Sequence, residues 1–252
     1  MELKQDEKGL YIEDDGMVLR ADFSRIKRRT ARGTINSELL VKAAKIKNAE
    51  GPLLAIDATA GMGEDSFLLA AAGFSVLLYE YDPMIAALLK DTVERAKCME
   101  GLSEIAARMQ VIEGDSIAAM KACAAGMGNS SLISCEGAAE ENNTAAAKTA
   151  SVSDCNGMPE KNRRVDVVYL DPMFPERKKS ALVKKKFQMI HGLEAPCENE
   201  EELLSAALSL NPRKIIIKRP LKGPWLSSVK PAYSIEGKAI RYDVILGQAL
   251  LH

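Results

Sequence analysis

The sequence predicts an α/β chain, a doubly wound and mostly parallel sheet with a small N-terminal extension. Three observations carry that reading. An apolar run after Pro52 ends in Asp57-Ala58-Thr59-Ala60-Gly61-Met62-Gly63 and passes into an Ala-rich apolar segment, which is strand, glycine turn and helix in succession. From residue 52 onward, short apolar runs alternate with helical patterns. One run, Val165 to Leu170, is apolar except at Asp166, as in a strand covered on both faces.

The elements follow in order. Residues 9–24 alternate loosely across Asp14-Asp15-Gly16 and read as a small hairpin. A helix is expected from Ser37 to Lys47, capped by Asn36 or Ser37. Strand one is 53–57, the next helix 64–72, and strand two 75–80. Asp82-Pro83 caps a helix running to about residue 98, with proline near its first position. Residues 109–113 form strand three, and Asp115 is placed to cap the helix after it. Residues 122–163 are Ala, Ser, Asn, Gly and Glu without period and read as a flexible insertion. An acidic-fronted helix begins at 198–202, strand five is 214–218, and 233–235 with 240–246 close the sheet as a strand pair. The expected organisation is an extension over 1–48 and a main domain over 49–252.

Composition excludes several classes. At 252 residues with 47% apolar content, one large core can form. The five cysteines include no C-x-x-C pair, so reduced thiols and no metal are expected, and His191 and His252 have no metal-like neighbours. The first eight residues are charged and lack the apolar stretch of an export signal. No run approaches the length of a membrane span. A cytoplasmic protein that does not enter membranes is expected.

Gly61 and Gly63 leave room for a ligand to approach the backbone at a helix N-terminus, and Asp57 can point a carboxylate into the same crevice. The ligand is not read as a dinucleotide. That fingerprint needs a third glycine where this chain has Ser66. Glu80 closes strand two, where a carboxylate accepts hydrogen bonds from both ribose hydroxyls. This pattern resembles class I methyltransferases that bind S-adenosyl-L-methionine, with Thr59 where many of them carry their first glycine.

Asp171-Pro172-Met173-Phe174-Pro175, at the end of the 165–170 strand, resembles the (Asp/Asn)-Pro-Pro-(Tyr/Phe) loop of enzymes that methylate exocyclic amines of bases. The residue types suit that chemistry. An exocyclic amine is a poor nucleophile because its lone pair is delocalised into the ring. Asp171 and the carbonyl of Pro172 can accept its hydrogens and offset charge developing at nitrogen. Proline stiffens the loop, and Phe174 can stack on the base.

Two basic runs point to polynucleotide phosphates. One holds Arg25, Lys27, Arg28, Arg29 and Arg32; the other, beside the Asp171 loop, holds Arg177, Lys178, Lys179, Lys184, Lys185 and Lys186. The first run could equally be a solvated face; for the second, position beside the aromatic loop favours nucleic acid over a solvated lysine-rich helix.

Residues 57–63, 169–175, 179–185 and 218–220 together resemble the RsmJ-type family, bacterial small-subunit ribosomal RNA guanine-N(2) methyltransferases. The resemblance spans about 17–247 without the insertion. It implies a class I methyltransferase (Rossmann-like) fold, S-adenosyl-L-methionine as cofactor, and ribosomal RNA or the small ribosomal subunit as partner. It also implies cofactor contacts at Glu64 and Asp65, Glu80 and Tyr81, Asp115 and Ser116, and Asp171. The residues alone leave open a DNA or small-molecule N-methyltransferase, or a non-catalytic RNA-binding protein on a degenerate form of the fold.

Overall fold

The computed structural model describes residues 1–49, 51–125, 164–172 and 199–247. The chain opens with β1 (Glu2–Asp6), β2 (Gly9–Asp14) and β3 (Met17–Leu19), which form a three-stranded antiparallel sheet. The expected hairpin is its second half; β1 is the addition. β1 is charged and mostly exposed, so it lacks the alternation that marks a strand. It is held by backbone pairing to β2 from Glu2↔Glu13 to Asp6↔Gly9.

Two 3-10 turns follow, Phe23–Ile26 and Ile35–Ser37, and then α1 (Leu39–Ala44). The helix expected over 37–47 is shorter, and its cap position is Glu38, not Asn36 or Ser37. Glu38 and Lys45 are both extended, which separates α1 from the turn before it and ends it early. At its C-terminus the buried Lys214 donates from Nζ to the carbonyls of Ala43 at 2.9 Å and Lys45 at 2.7 Å. A tertiary cation thus takes carbonyls that a longer helix would have used.

The main sheet contains β4 (Leu53–Asp57), β5 (Phe74–Glu80), β6 (Met109–Glu113), β7 (Val167–Leu170), β8 (Lys214–Pro220), β9 (Tyr233–Glu236) and β10 (Ile240–Leu246). Its order is β6-β5-β4-β7-β8-β10-β9. The pairs among β6, β5, β4, β7 and β8 are parallel; β10 runs antiparallel to both β8 and β9. The helices are α2 (Glu64–Ala71), α3 (Pro83–Lys97), α4 (Ser103–Ala106), α5 (Ser116–Ala124) and α6 (Glu200–Ser209). α4 is too short to have announced itself. α5 absorbs the first residues of the expected insertion, whose remainder, 126–163, lies outside the described residues.

Strand alternation builds two cores. Ala55, Val76, Leu78, Val167, Tyr169 and Ile216 face one way, toward Leu40 of α1, Phe67 of α2 and Leu89 of α3. Leu54, Ile56, Leu77, Val168, Leu170 and Ile217 face the other way, toward Met120 of α5 and Leu203 and Leu204 of α6. Each fully buried aliphatic side chain contributes about 1.5–3 kcal/mol, which fixes strand register because a one-residue slip would exchange the faces. The N-terminal segment joins this framework. Leu10 N donates to Asp91 Oδ2, Arg95 Nη2 donates to the Ala21 carbonyl, and the Phe23 ring stacks on Phe67 at 4.4 Å.

A charged clamp shapes the loop after β8. Arg241 is 6% exposed and its Nη1 donates to the carbonyls of Pro220, Leu221 and Gly223 at 2.8–2.9 Å. Its Nε and Nη2 donate to Asp243, itself 1% exposed, at 2.9 and 3.0 Å. Arg219 Nε donates to the Pro224 carbonyl at 2.9 Å. Beyond the clamp, Leu226 turns into the core while its neighbour Trp225, the only tryptophan of the chain, is 46% exposed.

Candidate active site

The parallel strands β4, β5, β6, β7 and β8 end along one sheet edge, and the site is built there. β4 delivers Asp57 and then the glycine turn. Asp57 is 1% exposed. Its Oδ1 accepts the Thr59 N–H at 3.0 Å and its Oδ2 accepts the Ser66 hydroxyl at 2.5 Å. Burial pushes its pKa up to about 7, against those two hydrogen bonds. The carboxylate therefore ties both ends of the glycine turn together, a more structural task than sequence alone suggests.

Gly63 sits at the N-cap of α2 in the left-handed region, φ 74°, and a Cβ there would lie 2.5 Å from Leu89 Cδ1. Backbone conformation and packing both require glycine at this position. Gly61 also has positive φ, and its N–H donates to Glu80 Oε2 at 2.8 Å.

Glu80, at the end of β5, is 6% exposed. Its other oxygen accepts the Asp82 N–H at 2.9 Å. Burial raises its pKa, and the Asp82 and Gly61 amides counter that in part. The Tyr81 amide also acts on this carboxylate, which still has acceptor capacity to spare among its roughly four lone-pair sites. Tyr81 beside it is 78% exposed. Asp115 is exposed and caps α5 by accepting the Ile117 N–H at 2.8 Å, while Ser116 is buried.

β7 delivers Asp171. Its N–H donates to the Thr59 hydroxyl at 2.7 Å, so the residue standing at the first-glycine position binds the two loops together. The register of β7 and β8 sets Leu170 opposite Ile217, which brings the next residue of each strand, Asp171 and Lys218, side by side. Lys218 Nζ donates to Asp171 Oδ2 at 2.8 Å and to Asp65 Oδ2 at 2.7 Å. The Tyr169 hydroxyl donates to Asp65 Oδ2 at 2.6 Å. Burial alone would lower the Lys218 pKa; the two carboxylates outweigh it and hold the ammonium above its ordinary range. Burial raises the Asp171 pKa, and Lys218 pulls it partly back. Burial and the neighbouring carboxylates hold the Tyr169 phenol well above its ordinary value, so it stays a donor.

These groups surround a cleft of about 370 Å³, within the usual range for a small-molecule site. Asp57, Gly61, Gly63, Glu64, Asp65 and Asp171 line it, together with Arg29, Thr59, Tyr169 and Lys218. Glu80, Tyr81, Asp115 and Ser116 stand beyond its walls at the ends of β5 and β6. Glu64 is exposed at the start of α2. Pro172 is buried behind Asp171, and Phe174 lies outside the described residues.

Of the first basic run, Arg25, Arg28 and Arg32 are exposed. Lys27 donates to the Glu100 carbonyl, and Arg29 makes a two-pronged pair with Glu38 at 2.9 and 2.8 Å. Arg177, Lys178, Lys179, Lys184, Lys185 and Lys186 lie outside the described residues. Sequence reasoning gave no role to Thr59, Tyr169 or Lys218. All three lie within stretches noted in the resemblance, 57–63, 169–175 and 218–220, but none was singled out there. Among the described residues, no group of three or more His, Cys, Asp or Glu is arranged to hold a metal ion, and no helix is long and apolar enough to cross a membrane.

The strand order, the glycine turn after β4 and the acid after β7 define an S-adenosyl-L-methionine-dependent methyltransferase of class I. A family model described as "Putative SAM-dependent methyltransferase" matches residues 1–131 and 138–247. Relatives named ribosomal RNA small subunit methyltransferase J align over most of the chain. The Marinobacter nauticus protein is 34% identical, covering 98% of this chain and 78% of its own length. The Thioalkalivibrio sulfidiphilus protein is 36% identical, covering 90% and 75%. The chain belongs to this methyltransferase J family. The crystal structure of the SAM-dependent methyltransferase NGO1261 from Neisseria gonorrhoeae superposes with a TM-score of 0.64 at 27% identity, covering 95% of this chain and 79% of that one.

The residues present fit the cofactor. Gly61 lines the cleft, Gly63 leaves no room for a larger side chain, and a buried carboxylate with spare acceptor capacity lies 2.8 Å from the Gly61 amide. The cofactor supplies an electrophilic methyl group.

Proposed function

We propose that the chain methylates the exocyclic amine of a guanine in small-subunit ribosomal RNA. The observation that carries this reading is Asp171. It stands at the end of β7, fastened through its own amide to Thr59 and through one carboxylate oxygen to Lys218, on the wall of the cleft formed by the glycine turn. Among the described residues no donor reaches its other oxygen. That oxygen and the Pro172 carbonyl are the acceptors an amine needs. Glu80 would hold the cofactor's ribose, the exposed Tyr81 ring and Asp115 its base, and Asp65 with the glycine turn its amino-acid end. Phe174 would stack on the guanine. Arg25, Arg28, Arg32 and the 177–186 run would meet phosphates. The relatives' name supports ribosomal RNA as substrate, and such a substrate supports a cytoplasmic protein.

The test is methyl transfer from labelled S-adenosyl-L-methionine to small-subunit ribosomal RNA, free and in assembled subunits, from cells lacking the gene. Label recovered as N2-methylguanosine is expected. Label on adenine, on DNA alone, or on no nucleic acid would overturn the reading.

Glu80→Ala is expected to weaken cofactor binding by about 1.5–3 kcal/mol, the scale for hydrogen bonds to a charged group. Titration calorimetry reads this directly, and unchanged affinity would remove Glu80 from the ribose site.

A further inference from the structure

The cleft holds a cation that neither the glycine turn nor the Asp171 loop accounts for. Lys218 lies on β8, yet it touches a residue of α2 and a residue after β7. Its ammonium joins Asp65 at 2.7 Å and Asp171 at 2.8 Å, both through Oδ2. The Tyr169 hydroxyl closes the group from β7 by donating to the same Asp65 oxygen at 2.6 Å. An ion pair in this partly enclosed position is oriented by its hydrogen bonds. A carboxylate on a loop end can otherwise rotate about its own side-chain torsions. Fixing one oxygen to Lys218 and the backbone amide to Thr59 leaves Asp171 a single direction for the other oxygen.

We propose that Lys218 is a positioning residue for methyl transfer: it pins one oxygen of Asp171 and thereby presents the other to the target amine. The inference rests on the reading of Asp171 given above. Asp65 shares the ammonium and so weakens its hold on Asp171. The charged and titratable groups around Asp171 are Lys218 and Arg219 of β8, Asp65 of α2, Asp57 of β4, Tyr169 of β7, Tyr242 of β10, and Arg29 at the cleft wall. Burial raises the Asp171 pKa and Lys218 is the main group opposing that rise. Removing Lys218 therefore favours the protonated acid, which has lost a lone pair the amine requires. Removing Asp65 does the opposite.

Two readouts test this. The first is the pH profile of the single-turnover rate at saturating cofactor and RNA. The second needs neither ligand: NMR titration of the 13C-labelled aspartate carboxyls, with the Asp171 signal assigned by Asp171→Asn. Lys218→Met is expected to move the acid limb of the rate profile up by about one pH unit or more, a tenfold rate loss on that limb. The Asp171 carboxyl signal should move in the same direction. Lys218→Arg should restore the parental limb, and Asp65→Asn should shift both readouts to lower pH. If Lys218→Met leaves both where they were and only raises the cofactor KM, the lysine serves the cofactor and the proposal falls. If Lys218→Met does not fold, Asp65→Asn decides, and an unmoved or upward shift overturns the proposal. Parental rate in Asp171→Ala would instead defeat the underlying reading of Asp171, which keeps the two failures distinct.

Discussion

Asp171→Ala is expected to slow single-turnover methyl transfer to ribosomal RNA by about 10²–10³-fold at saturating cofactor, the usual scale for one lost transition-state hydrogen-bonding group. The methyl group moves in line to nitrogen, which must sit about 3–3.5 Å away with its weak lone pair directed at carbon. The amine is neutral near pH 7, so no strong base is needed before attack. The proton leaves afterwards, when nitrogen is cationic and acidic. On the proposed reading, Asp171 orients and stabilises. Its fixed amide and its pair with Lys218 suit that task better than that of a free base. Asp171→Asn should retain more activity than Asp171→Ala, because the amide oxygen still accepts from the amine. A parental rate in Asp171→Ala would end the catalytic assignment while leaving the cofactor cleft intact.

Asp243→Ala is expected to cost about 3–5 kcal/mol of stability, the scale for leaving a buried charge without its partner. Arg241 would keep its four loop carbonyls, three on Nη1 and that of Pro224 on Nη2, but lose its counter-charge, with only 6% exposure to water as compensation. Ser234, whose hydroxyl donates to Asp243 at 2.5 Å, would lose its acceptor too. For a chain of this size the melting temperature should fall by roughly 6–20 °C. The control is Glu94→Ala, which removes the exposed partner of Lys97 and should change little. If Asp243→Ala melts with the parent, the Arg241 clamp contributes no net stability.

The parts of the site written in consecutive residues were legible in the sequence. Asp57 through Gly63 is a single turn whose glycines answer to local backbone geometry, and Gly63 adopts the positive φ that makes it necessary. Asp82-Pro83 is likewise a local device, and Asp82 accepts the Met84 and Ile85 amides as its position promised. Asp171, which lines the cleft, could be singled out because the residue types of the resembled loop adjoin one another in sequence. Lys218 was not readable as a site residue. Its partners lie 47 and 153 residues away in sequence and meet it only through the register of β7 with β8 and the packing of α2 on the sheet. α1 was overextended for a related reason. The lysine that takes its terminal carbonyls arrives from β8, and no local pattern records it. β1 escaped notice because backbone pairing, which is blind to side-chain type, defines it.

The loop beyond β8 has an optical consequence. With one indole in 252 residues, all tryptophan emission of this chain arises at a single address, two residues past the last carbonyl gripped by Arg241 Nη1 and directly before the buried Leu226. The ring is part in water and part against protein, so its emission wavelength reports a change of contact. The native fluorescence spectrum of this methyltransferase is thus a label-free reading of the loop beside its reactive edge.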